Sequence, residues 1–200
     1  MGGLIEVVQA SVLGEARRTE IAEIFVDGYR EDFSRLSRDQ ARLVRAFAHM
    51  LRMERFHVGL LDGTPAGITS LTNGRQLGTE HDPREFRRYL GLVRGTIASR
   101  TLGREFERLM PAELRDDTVS IEFVATAERF RGRGVALAIL RHFLQLPAYR
   151  SSLIEEVADT NEAALRLYRK HGFTEYRRQP VRHTWISGIH AYVSLRLTQG

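Results

Sequence analysis

One stretch constrains this chain more than any other: Thr126 to Ala136, reading TAERFRGRGVA. It is preceded by Thr118 to Thr126, an alternating run rich in Val, Ile and Phe that reads as a strand. It is followed by Val135 to Leu146, apolar on most sides, which reads as a helix packed into a sheet and stopped by Pro147. A strand therefore enters a Gly-bearing turn and leaves directly as a helix. The first N–H groups of such a helix are unpaired, and the helix dipole adds about half a positive charge there. Glycines let a ligand approach the backbone closely. That combination is a seat for phosphate. The P-loop ending Gly-Lys-Ser/Thr is absent, and the third Gly of the dinucleotide fingerprint is missing. A plain glycine-bearing β–α turn would look the same up to this point.

The rest of the chain divides into similar elements. Leu4 to Ala10 reads as a strand. Ile21, Ile24, Phe25 and Gly28 share one helical face, and Leu43, Phe47, Met50 and Leu51 share another. Ser37 with Gln40 resembles a capping box for the second helix. Phe56 to Leu61 and Ala66 to Leu71 form a hairpin about Asp62-Gly63. Residues 80 to 117 read as helical, an elaboration between two strands. Ser152 to Val157 is a strand, and Asn161 to His171 a helix with Asn161 as N-cap and Gly172 as its C′ residue. Phe173 to Arg177 and His190 to Leu197 are the last strands. The order predicts an α/β chain built on one mixed sheet with helices on both faces.

Composition removes several functions. With 200 residues, 42% hydrophobic and 28% charged, the chain can bury a core and reads as one domain. There is no cysteine, so disulfides, thiolate nucleophiles and Cys-ligated zinc are ruled out. The seven histidines show no metal-ligand spacing, and Ser151-Ser152 lacks a nucleophile elbow. No run is long and apolar enough to span a membrane, and no secretory signal is read at the start, so the expected location is the cytoplasm. Lys plus Arg number 30 against 25 Asp plus Glu, a net +5, and only Lys170 is lysine. The charges alternate in sign, which describes a solvated surface better than a nucleic-acid footprint.

The second half lifts the Gly turn above a bare motif. Asn161 to Phe173 reads NEAALRLYRKHGF. An Arg-x-x-Gly-x-Gly turn, a strand, then Asn-x-x-Ala-x-x-x-Tyr ending in Gly-Phe resembles the GCN5-related N-acetyltransferases. The resemblance is close over about residues 118 to 178, and the first half matches in element order. It implies a six- or seven-stranded mixed sheet in one domain over 1–200, with the helical elaboration at about 80–117. It also implies acetyl transfer from acetyl-CoA to a small-molecule or peptide amine by direct transfer in a ternary complex. Nucleic acid is no expected partner, and a homodimer through the last strands stays open.

The resemblance assigns cofactor roles to Val124 and Thr126, on the strand whose main chain meets the pantetheine. It assigns the pyrophosphate to Arg129, Arg131, Gly132, Arg133, Gly134 and Val135. Asn161 touches the cofactor in addition to capping its helix. Tyr168 stands near the CoA sulfur and protonates the leaving thiolate, although a packing tyrosine would read the same. Glu122 is the base, alone or through a water. Its place two and four residues before Val124 and Thr126 predicts one shared sheet face, and a salt-bridged glutamate is the plain alternative. Arg166, Arg169 and Lys170 are candidates for the 3′-phosphate. A rival reading keeps the acyl-CoA site but not transfer, as a sensor or interaction domain; Tyr168 and Glu122 argue for the enzyme.

Overall fold

Apolar alternation and well-placed caps produce seven strands and seven α-helices in the computed structural model, which describes residues 3–73, 77–108, 117–146, 149–181 and 188–198. Pro147 and residues 109–116 of the stretch read as helical lie outside these residues. In chain order the elements are β1 (Ile5–Gln9), α1 (Arg18–Gly28), α2 (Arg30–Phe33), α3 (Gln40–Ala48), β2 (Phe56–Leu61) and β3 (Thr64–Thr72). Then come α4 (Pro83–Leu90), α5 (Leu92–Arg108), β4 (Thr118–Thr126), α6 (Val135–Leu144), β5 (Ser151–Ala158), α7 (Glu162–Lys170), β6 (Thr174–Pro180) and β7 (Ala191–Thr198). One sheet holds all seven strands in the order β1-β2-β3-β4-β5-β7-β6. All neighbours are antiparallel except β4 and β5. That parallel pair needs a crossover, and α6 supplies it.

Local chemistry sets the ends. Asp62 (φ 50°) and Gly63 (φ 77°) make the tight β2–β3 turn. Asp39, not Ser37, caps α3: its carboxylate accepts the Arg42 N–H at 3.0 Å. Ser37 instead accepts the Asp39 N–H at 3.1 Å, one step upstream. Asp was the better competitor because it stands directly before the first helical residue. Asp82 caps α4 and Asn161 caps α7, the latter accepting the Ala164 N–H at 3.2 Å. The short α2 was not legible as a helix of its own.

Two cores flank the sheet. One joins α1, α3, α4 and α5 to Phe56, Val58, Ile68, Ala125 and Ala127, with Phe25 buried at its centre. The other joins α6 and α7 to Leu71, Val119, Ile121, Ile154, Val193 and Leu195. Helix α1 lies hard against β4, since a Cβ on Gly28 would sit 2.5 Å from that of Ala125.

Under α6, the His57 ring packs edge-on to Phe143 at 4.9 Å, with the His142 ring at 5.9 Å. Burial, with His142 adding to it, depresses the His57 pKa from 6.5 to about 4. As pH falls below 6.5 the unfolded chain takes a proton that the folded chain refuses, so stability declines until about pH 4. Allowing for partial solvent access, the loss amounts to about 2 kcal/mol. Urea midpoints at pH 7.5 and 4.5 should show this slope in the native protein, and His57→Leu should flatten it. An unchanged slope in that variant would contradict the assignment.

Candidate active site

β4 and β5 begin as partners and then part. Only Thr118, Val119 and Ser120 pair with Ser151, Ser152 and Leu153. Among the described residues the β4–β5 pairing ends at Ser120, and the parting strands open a gap where an extended ligand can meet the backbone. Each strand carries one residue at positive φ just past the divergence: Phe123 (φ 53°) and Glu156 (φ 54°). Neither is glycine, so both are strained, and both sit at register shifts against the neighbouring strand. The Phe123 kink is held by ring contacts to Phe25, Tyr29 and Phe56. The Glu122 carbonyl that it displaces is satisfied by the Thr69 hydroxyl at 2.9 Å.

This bulge overturns one expectation. Glu122 does not share a face with Val124 and Thr126. Glu122 pairs with Ser70 and faces the α1 side, as do Phe123 and Ala125. Val124 packs with the α6–α7 core, and Thr126 lies opposite Gly67, whose missing Cβ would strike Val135 of α6. The extra residue at Phe123 shifts the alternation by one and turns the two ends of β4 to opposite sides.

Around Glu122 the structure places hydroxyls rather than cations. The Thr72 Oγ1 donates to its carboxylate at 2.9 Å, and Ser120 stands beside it. Burial is the largest influence and raises its pKa to about 7, against the lowering effect of Thr72 and Ser120 and with the help of Glu155. A carboxyl poised there is suited to proton abstraction near neutral pH. Tyr29, at the end of α1, joins the group. Its pKa is raised by burial and by its nearness to Tyr168, Glu122 and Asp32. Tyr168 comes from α7 on the other side, is 4% exposed, and packs against Phe173 with ring centroids 6.0 Å apart. Burial pushes its pKa up to about 12. Glu122 and Tyr29 from one side and Tyr168 from the other thus converge on the gap between β4 and β5.

At the mouth of the gap stands the N-terminus of α6. Whereas α3, α4 and α7 carry side-chain caps, α6 has none, and no acid occupies its first turn. Its N-cap is Gly134, left-handed at φ 85°, following Gly132 at φ 74°. The turn is itself hydrogen-bonded: the Arg131 N–H goes to the Glu128 carbonyl at 3.2 Å and the Arg133 N–H to the Phe130 carbonyl at 3.4 Å. Among the described residues, the N–H groups of Gly132, Gly134 and Val135 make no such turn bond and remain the better anion donors. Arg129 and Arg133 lie over the Phe130 ring at 4.9 and 5.8 Å. Arg131 reaches back to the Thr126 carbonyl at 3.4 Å. Asp27 of α1 anchors the turn by accepting the Glu128 N–H at 3.0 Å while holding Arg30. Arg166 and Arg169 pair with Glu162 at 3.0 Å and Glu175 at 3.4 Å.

Tyr29, Thr72 and Glu155 were not read from the sequence as site residues. Glu155 was hidden because it sits in an ordinary strand run beside Glu156. Tyr29 follows Gly28, whose place on a helical face gave no sign in the sequence that it lies against β4. A polar cleft of about 430 Å³, lined by Arg18, His49, Arg52, Glu54 and Asp82 among others, lies where none of the predicted site residues stands. No helix among the described residues is long and apolar enough to cross a membrane.

An uncapped, glycine-edged helix end beside a strand gap fits an extended diphosphate ligand such as acetyl-CoA. The comparisons agree. The profile of the acetyltransferase (GNAT) family matches residues 18–173. An N-acetyltransferase from Staphylococcus aureus Mu50 is 21% identical, with 96% of this chain and 100% of that one covered at a TM-score of 0.60. A GCN5-related N-acetyltransferase from Kribbella flavida is 17% identical, with 97% of each chain covered and a TM-score of 0.60. The yncA protein of Salmonella typhimurium, solved with its cofactor acetyl-CoA, is 15% identical, covering 98% of this chain and 94% of that one at a TM-score of 0.54. A search of curated protein sequences gave no match. With the family profile spanning most of its length, this chain belongs to the GNAT acetyltransferases and is an acetyl-CoA-dependent acyltransferase.

Proposed function

We propose that the protein transfers an acetyl group directly to an amine held with acetyl-CoA in a ternary complex, on a single catalytic unit in the cytoplasm. The observation that carries this reading is the placement of Glu122 and Tyr168 on opposite sides of one strand gap whose mouth is the open end of α6. Acetyl-CoA supplies the thioester. The N–H groups of Gly132, Gly134 and Val135 hold its diphosphate, with Arg129, Arg131 and Arg133 adding positive charge. Val124 and Thr126 offer backbone to the pantetheine, and the Val124 N–H polarises the thioester carbonyl. Asn161 caps α7 and so holds Tyr168 in register seven residues on.

On the acceptor side, Glu122 takes the proton of the attacking amine as the C–N bond forms. The C–S bond breaks, and the electrons leave with the CoA sulfur. Tyr168 faces that sulfur. With its pKa near 12, full proton transfer to a thiolate of ordinary basicity is uphill, so its hydroxyl acts mainly by donating a hydrogen bond. The acceptor is a small-molecule or peptide amine. Nucleic acid is not needed to explain the arginines, several of which are paired with nearby acids.

Calorimetric titration with acetyl-CoA and with CoA is the test, followed by thiol detection of CoA release over polyamines, amino acids and N-terminal peptides. One site per chain and amine-dependent release are expected. Tyr168→Phe should lower turnover about tenfold, the worth of one hydrogen bond, and leave acetyl-CoA affinity unchanged. Absence of acetyl-CoA binding would overturn the reading, and full activity in Tyr168→Phe would remove that residue from it.

A further inference from the structure

A second carboxylate flanks the gap opposite Glu122. Glu155 precedes the positive-φ residue Glu156 on β5, just as Glu122 precedes Phe123 on β4. Its neighbour Ile154 packs on the α6–α7 side, so Glu155 points to the α1 side, the side of Glu122. Its side chain is only 4% exposed. Buried carboxylates persist when held, and this one is held by two groups of β6: the Tyr176 hydroxyl and the Arg177 Nη2, the latter at 2.6 Å. Arg177 also donates to Ser194 of β7 at 3.3 Å, whose hydroxyl accepts the Glu156 N–H at 3.4 Å. The Arg196 guanidinium of β7 covers the Tyr176 ring at 4.6 Å.

The groups that face Glu122 are Thr72 and Ser70 of β3, Ser120 of its own strand, Tyr29 of α1 and Glu155 of β5. Those that face Glu155 are Tyr176 and Arg177 of β6 and, beyond them, Arg196 and Ser194 of β7. Among the described residues, the groups acting on Glu122 are hydroxyls and the Glu155 carboxylate rather than cations, and Glu155 raises its proton affinity. Two like charges near one desolvated site disfavour joint ionisation.

We propose that Glu155 is a positioning residue for the transfer reaction: its carboxylate, across the strand gap from Glu122 and clamped on its own side by Tyr176 and Arg177 of β6, governs the pH at which Glu122 is free to act. Arg177 works in the opposite sense, by neutralising Glu155. The proposal rests on Glu122 being the base, but the coupling between the carboxylates can be measured without any acceptor.

The experiment is a ¹³C NMR titration of the ligand-free protein labelled at the glutamate side-chain carboxyl, with the Glu122 signal assigned by its loss in Glu122→Gln. The Glu122 signal should titrate near neutrality in the native protein. In Glu155→Gln its midpoint should fall by about half a pH unit, and in Arg177→Gln it should rise by about as much, as expected for a partly screened charge. Opposite shifts are a signature that mere loosening of the strand would not produce. If Glu155→Gln fails to fold, the upward shift in Arg177→Gln still decides. Unmoved midpoints, shifts of one sign, or a native Glu122 signal that titrates below pH 5 would overturn the proposal. Whether Glu122 serves transfer at all is read separately from the activity of Glu122→Gln, so the two ideas can fail independently.

Discussion

Replacing Glu122 with glutamine is expected to lower kcat/KM for acetyl transfer about 10³-fold, within the range for loss of a general base. Acetyl-CoA affinity should be unchanged, because Glu122 faces the α1 side while the proposed diphosphate seat is the end of α6. The amide keeps the shape of the carboxylate and can still accept from Thr72. The fold should not suffer. Burial raises the pKa of Glu122 to about 7, so the folded state holds its proton more firmly than the unfolded chain does. Stability from this group is therefore present at low pH and lost as pH rises through 7, and a neutral glutamine should be at least as stable at pH 8. The same pKa predicts the rate profile. A base must be deprotonated, so native activity should rise with pH through about 7 and then level. The CoA-release assay between pH 5.5 and 9, on the amine that turns over best, checks both points. A glutamine variant that keeps most of the activity together with the rising limb would exclude Glu122 as the base.

The second large effect concerns the cofactor. Gly134→Glu is expected to weaken acetyl-CoA binding at least 10²-fold, since like charges brought together cost several kcal/mol. Two causes act together. At φ 85° any side chain is strained, by about 1–3 kcal/mol. The new carboxylate also stands at the N-terminus of α6, which has no side-chain cap. Gly134→Asn separates the causes: asparagine tolerates left-handed backbone better and brings no charge. It should lose much less affinity. Calorimetry of both variants, with thermal melts to confirm folding, is the measurement. Equal affinity in the glutamate variant would mean that the diphosphate does not sit at the end of α6.

The sheet and its helices were readable because each signal was local. β-branched alternation marks Thr118 to Thr126, Asp62-Gly63 marks the hairpin, and Asn161 with Gly172 brackets α7. The proposed cofactor seat could be read in the same way, because a glycine turn and a helix start are neighbours in sequence. The acceptor half was not legible, for two physical reasons. A bulge at a phenylalanine leaves no compositional trace, so the turn of Glu122 away from Val124 could not be foreseen by counting residues. Tyr29 and Glu155 reach the gap only through tertiary packing, one by the contact of Gly28 with Ala125 and the other by a clamp built from β6. The Asp39 cap of α3 shows the same limit on a smaller scale: two capping residues stood two positions apart, and only the helix's actual start chose between them.

One of the two outer strands, β6, has a consequence for the protein in crowded solution. Among the described residues it is an edge of the sheet, the kind of place where another chain could add a strand. Nearly every residue along it is exposed, and it carries Glu175, Arg177 and Arg178 and ends at Pro180, which has no N–H to offer. An incoming strand would have to bury the Glu175–Arg178 ion pair and would find the last rung missing. The polar character of this edge discourages copies from adding to the sheet at β6.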